Sequence, residues 1–209
     1  MKSDNSLLIV AVIAVVVSIF ATGFTYFSIA NLAEQITGYA TGATANLTVE
    51  TLAQINFTNF SIAWGSGRVN PGATAASLIT TAAGTVTNGN WTADDGLILE
   101  NSGNVNVSLN LTGDKTAAAF IGGTGPAYLW NITNVEANSC INATGGLGGP
   151  VLDLNTFHNV NTSQGLSRVC NTFGFKASAD TIRIDFNVTV PEDSSTGALT
   201  DLINATAYT

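Results

Sequence analysis

From Leu7 to Ala30 no position is charged, and the run LLIVAVIAVVVSIFATGFTYFSIA is apolar almost throughout. As a helix these 24 residues reach roughly 36 Å, more than the ~30 Å hydrocarbon core of a bilayer. Beyond the run, Ile29, Leu32, Ile36 and Tyr39 recur at helical spacing among Asn31, Glu34, Gln35 and Thr37. That period predicts a helix continuing for two or three turns before Gly38 and Gly42 loosen it.

Further along, the period becomes two. In TIRIDFNVTV, Ile182, Ile184, Phe186, Val188 and Val190 alternate with Arg183, Asp185, Asn187 and Thr189, the mark of a half-buried strand. NVNVSLNLT repeats the pattern, with Val105, Val107, Leu109 and Leu111 inward. Further strands are expected at residues 47–58, 60–64, 96–100, 117–121, 127–132, 168–175 and 199–208. Turn signals separate them, at Asn88-Gly89, Asp95-Gly96, Ser102-Gly103 and Pro191 before Glu192-Asp193. Many short strands with no helical pattern among them predict an all-β antiparallel, Ig-like sandwich. The layout is therefore α+β: a hydrophobic helix with its amphipathic extension over residues 1–44, and a β-sandwich head over residues 45–209.

Charge narrows the partners. Six Lys and Arg stand against 14 Asp and Glu, without a basic patch, which argues against a nucleic-acid partner. The two cysteines, Cys140 and Cys170, would be a disulfide in an exported head and free thiols in the cytosol.

Asn-x-Ser/Thr sequons occur at 11 positions: Asn46, Asn56, Asn59, Asn90, Asn106, Asn110, Asn131, Asn142, Asn161, Asn187 and Asn204. Random placement of the asparagines, serines and threonines would give about four or five. The alternation points Asn56, Asn106, Asn110, Asn131 and Asn187 outward, where a glycan could be held. Outward Asn and Thr on strands also create sequons without selection for sugar, which accounts for part of the excess. Occupied sequons imply covalent N-glycans and a head-out topology.

The helix admits three readings: a cleaved signal, a membrane anchor with a stalk, and the core of a filament. Its length is excessive for a signal. Lys2 at one end and Phe20, Phe24, Tyr26 and Phe27 toward the other suit a membrane span. The amphipathic extension suits helices that pack on one another. In the filament reading the contacts come from Leu7, Leu8, Ile9, Val10, Val12, Ile13, Val15, Val16, Val17, Ile19, Phe20, Phe24, Phe27, Ile29, Leu32 and Ile36.

No catalytic constellation is legible, so an enzyme is not expected. His158 stands alone in the polar stretch TFHNVNTS, read as a loop. Asp94-Asp95 and Glu192-Asp193 could offer hard oxygens to Ca²⁺, but acid pairs are ordinary turn residues. No other cofactor and no metal site is expected. Gly122–Pro126 and Gly145–Pro150 lack the Lys-Ser/Thr of a phosphate loop and read as flexible surface loops. Trp64, Trp91 and Trp130 read as core anchors rather than a sugar-stacking platform.

An apolar N-terminal helix (Leu7 to Tyr39) leading to a sequon-rich sandwich resembles the archaeal type IV pilin-like superfamily, archaellins and adhesion pilins included. LILENSGNVNVSLNL and IRIDFNVTVPEDSSTGALTDLINATA are strands of a kind common in archaeal surface domains. The resemblance implies an extracellular filament subunit, held in the cytoplasmic membrane by its helix before assembly and packed on copies of itself afterwards. An anchored adhesin that never polymerises is the alternative. For a surface or host-cell ligand the sequence offers no signature.

Overall fold

The computed structural model describes residues 4–35, 44–142, 152–163 and 168–209. Two compact units divide the chain, Met1–Thr48 and Val49–Thr209.

In the first unit, Asp4–Gln35 is one 32-residue helix, α1. The two threonines of its apolar span satisfy their own hydroxyls. Thr22 Oγ1 donates to Ser18 O and Thr25 Oγ1 to Ala21 O, each at 2.7 Å, so neither needs water. Leu32 falls within the helix, whereas Ile36 and Tyr39 lie outside the described residues.

The second unit is an antiparallel sandwich. Its larger sheet joins β1 (Asn56–Asn59), β2 (Ala75–Ile79), β3 (Thr85–Thr87), β4 (Leu97–Glu100), β6 (Ala127–Asn134), β8 (His158–Asn159) and β10 (Thr181–Pro191). The smaller one orders β11 (Ile203–Tyr208), β5 (Val107–Gly113), β9 (Arg168–Phe173) and β7 (Cys140–Asn142). β10 is the spine of the larger sheet. One of its edges carries β6 from Ile182 to Thr189. The other carries β4 along Thr181–Ile184 and β2 along Asn187–Pro191.

Alternation decides which face is buried. Ile182, Ile184, Phe186 and Val188 are at most 2% exposed, and they share one core with Trp130, Ile132, Leu109, Leu111, Val169 and Phe173. Cys140 and Cys170 form a disulfide with Cα atoms 5.3 Å apart, tying β7 to β9. Asn134 aims the first cysteine: its Oδ1 accepts from Cys140 N at 2.8 Å and its Nδ2 donates to Cys140 O at 3.1 Å.

Several expected elements differ. Residues 117–121 are not a strand; Ala117–Phe120 is a helical turn, α2, capped by Thr116, whose hydroxyl accepts from Ala119 N at 3.3 Å. Three alanines and a good N-cap outweigh the apolar count there. Of residues 47–58 only the last three enter a strand, β1 (Asn56–Asn59), and residues 60–64 form no strand. Alternation without a neighbouring edge does not make a strand. The sequence reading missed β2, β3, β7 and β8, so His158 lies in a short strand rather than a loop. The loop at Gly122–Pro126 is not free. Asp193 accepts from Thr124 N at 2.8 Å and from Thr124 Oγ1 at 2.7 Å, and Ser195 N donates to Ile121 O at 3.0 Å. The second glycine segment, from Gly145, lies outside the described residues.

Candidate functional site

The first candidate surface is α1. From Ile9 to Phe27 every side chain is exposed, and the span Ile9–Ser28 has a mean hydropathy of 2.3 with none of it buried. It is long and apolar enough to cross a membrane, as a signal or an anchor would. Large apolar side chains at 12 positions of this helix face outward. Covering them would release roughly 20–35 kcal/mol at ~1.5–3 kcal/mol each. That exceeds the ~5–15 kcal/mol stability of a whole domain, so an uncovered helix of this composition is costly to leave in water.

The sequons on the head fall into groups. Asn46, Asn56, Asn90 and Asn106 are exposed. Asn110, Asn161 and Asn187 are half-buried, Asn187 accepting from Ser77 Oγ at 3.4 Å. Two others have engaged their amide nitrogens: Asn59 Nδ2 donates to Gly96 O at 2.9 Å and Asn204 Nδ2 to Asp114 Oδ1 at 2.8 Å. Asn131, expected outward, is only 8% exposed and sits opposite Asp185, itself 3% exposed. The alternation is intact, since Trp130 and Ile132 fill the core. The outer face is simply covered at that point. The side chain of Asn142 lies outside the described residues.

The acid pairs are absorbed by the fold. Asp94 Oδ2 accepts from Ala63 N, and Asp95 pairs with Arg183 at 2.9 Å. Its bonds to Thr124 hold the Asp193 carboxyl below the usual carboxylate range. His158 Nε2 lies 3.1 Å from Asp153 O. Among the described residues no group of three or more His, Cys, Asp or Glu could hold a metal ion.

The third surface is a groove of about 1150 Å³ between residues 57–69 and 192–203. Its floor carries an aromatic row: Phe120 and Tyr128 rings lie 4.8 Å apart, and Tyr128 and Phe186 5.7 Å apart. Trp91 lies so close to Gly67 and Gly89 that a Cβ on either would come within 2.4 and 2.6 Å of the indole. Burial pushes the Tyr128 hydroxyl well above its ordinary range, and the Asp201 carboxylate beside it adds to the effect. Burial likewise pushes the Asp201 carboxyl up.

No protein family matches this chain, and no curated protein or solved structure is significantly similar to it.

Of the tryptophans, Trp130 is a fully buried core anchor, while Trp64 and Trp91 are half-buried in the groove wall. Sequence reading did not find this groove, because its walls are irregular segments without a period. The one available signal was three aromatics, Phe57, Phe60 and Trp64, within eight residues.

Proposed function

We propose that this chain is a structural subunit of an extracellular, N-glycosylated surface filament, polymerising through α1. The observation that carries the reading is the uncovered apolar helix, whose unburied surface outweighs the stability of an ordinary domain. In a membrane, lipid covers it; in a filament, neighbouring copies of the helix replace the lipid. A contact repeated by a rotation and rise that does not close generates a helical array. The head has what an exported domain needs, a disulfide in place of free thiols and exposed sequons.

The test is Val15→Asp or Val16→Asp in the full chain, followed by electron microscopy of material sheared from native cells. Loss of filaments with the head still folded is expected, and normal filaments from either variant would defeat the core assignment. The second reading is a membrane-anchored surface glycoprotein that does not polymerise. The 20-residue span favours it, because that length matches a bilayer without any protein neighbour. Intact chain confined to the detergent-extracted membrane, with no filaments, would establish it.

A further inference from the structure

We infer that N-glycans on the two longest end strands, at Asn56 of β1 and Asn204 of β11, keep the open edges of the sandwich from pairing with neighbouring heads. The inference rests on the reading of the head as exported and N-glycosylated, and it gives those sugars a structural task.

Among the described residues β1 pairs only with β4, and β11 only with β5. No backbone hydrogen bond joins Asn56–Asn59 or Ile203–Tyr208 to a third described segment. The outer N–H and C=O groups of both strands are therefore a template on which another strand can add. β1 has four residues and a register shift between Phe57 and Asn59. β11 is the more open edge, six residues in unbroken register with β5 from Ile203 against Gly113 to Tyr208 against Ser108. The other ends are shorter. β3 and β7 have three residues each and β8 has two. Past β3 the chain is already paired, Asn70 N donating to Asn88 O at 2.8 Å and Asn90 N to Arg68 O at 3.2 Å.

Exposed edges are ordinarily protected by charge, lysine above all, or by proline. β1 reads NFTN and β11 reads INATAY, with neither. What both have is a sequon whose asparagine lies on the outer side. Phe57 of β1, and Ile203 and Ala205 of β11, pack against the core, so alternation turns Asn56 and Asn204 away from it. Asn56 is exposed. Asn204 Nδ2 donates one hydrogen to Asp114 Oδ1 at 2.8 Å and has a second to lose. Glycosylation bonds Nδ2 to the anomeric carbon of a phosphate-activated sugar; the amide gives up one proton and the phosphate-linked carrier departs. An added strand must bring its side chains to ~4.5–5.5 Å from those of the edge. A sugar chain rooted on the edge occupies that space. A filament holds heads at high local concentration, which favours any pairing left open.

Full chain purified in detergent from native cells carries the test. Thr58→Ala/Ser61→Ala/Thr206→Ala removes every sequon of β1 and β11 and leaves the asparagines in place. Thr58→Lys/Ser61→Ala/Thr206→Lys removes the same sequons but puts a lysine on each edge. Thr48→Ala/Thr92→Ala/Asn106→Gln removes the three exposed sequons at Asn46, Asn90 and Asn106 instead. The alanine variant should sediment several-fold more than wild type, with hydrogen exchange newly slowed at residues 203–208 of the pellet. The lysine variant and the third variant should stay in solution. If the alanine variant is as soluble as the third, or the lysine variant pellets with it, the proposal is overturned and glycosylation stands. Pelleting of heads that have lost their tryptophan-fluorescence unfolding transition would overturn it as well. Glycopeptide mapping of wild type that finds Asn56 and Asn204 bare would do the same, and sugar at no sequon at all would remove the glycosylated reading too.

Discussion

Thr80 lies just past the end of β2, yet it exchanges two hydrogen bonds with Phe186: Thr80 N donates to Phe186 O at 3.0 Å, and Phe186 N donates to Thr80 Oγ1 at 2.8 Å. The position is where the partner of β10 changes from β4 to β2. A break in a buried ladder would strand backbone groups, which proteins avoid. A threonine hydroxyl stands in for the missing carbonyl. The same hydroxyl donates to Asp185 Oδ1 at 3.0 Å, which also accepts from Arg183 Nε at 2.9 Å.

Thr80→Val keeps the shape and removes the hydroxyl. It leaves Phe186 N–H without an acceptor in the core, so a loss of about 1–3 kcal/mol is expected. Urea unfolding of the full chain in detergent, followed by tryptophan fluorescence, measures it, since all three tryptophans are in the head. An unchanged midpoint would mean that the ladder closes without Thr80.

Arg183→Ala should cost more. It leaves the Asp185 side chain, 4% exposed, as a buried carboxylate with its cation gone. Breaking such a pair from one side typically costs about 3–5 kcal/mol. Restoring neutrality with Asp185→Asn in the same chain should recover part of the loss, which the same unfolding curves would show.

The Cys140–Cys170 bond closes a loop with a sequence separation of 30, and removing it should cost roughly 3–4 kcal/mol in the chain-entropy model. The variant Cys140→Ala/Cys170→Ala compared with wild type, with and without reductant, checks this. Reductant should lower the wild-type midpoint toward that of the variant and leave the variant unmoved.

Two carboxyls give opposite pH dependences. Thr124 lowers the folded-state value of Asp193, so its stabilisation is present above the unfolded value and is lost as pH falls through the folded one. Burial raises the folded-state value of Asp201, so stability falls as pH rises from the unfolded value to the folded one. Asp193→Asn should lower the melting temperature at neutral pH and flatten the acid side of the profile. Asp201→Asn should raise it at neutral pH. Melting temperatures from pH 3 to 8 separate the two, and matching profiles would contradict both assignments.

Glycan occupancy should follow exposure. Glycopeptide mapping of native material is expected to find sugar at Asn46, Asn56, Asn90 and Asn106 and none at Asn131, which is 8% exposed. A glycan on Asn131 would require β6 to part from whatever covers it, and finding one would contradict this packing.

Much of the layout was legible because it depends on local period. The charge-free run determined a long apolar helix, and strict alternation in residues 182–190 and 107–111 determined two strands and the side they bury. Where the period was weak, reading failed. β2 reads AASLI, β3 is three residues long, and the Ala-rich turn of α2 carries no strand or helix length to judge by. The disulfide partners followed from there being two cysteines, but only Asn134 shows how Cys140 is aimed.

The sequence by itself determined that this protein has an apolar helix too large to leave in water and a β head dense in sequons. Hydrophobicity and alternation act over a few neighbouring residues and need no partner to be read. The tertiary structure decided that Asn131 is covered, that Thr80 closes the ladder at Phe186, and that a groove lies between residues 57–69 and 192–203. Each depends on which distant segment arrives beside it, and no local pattern carries that information.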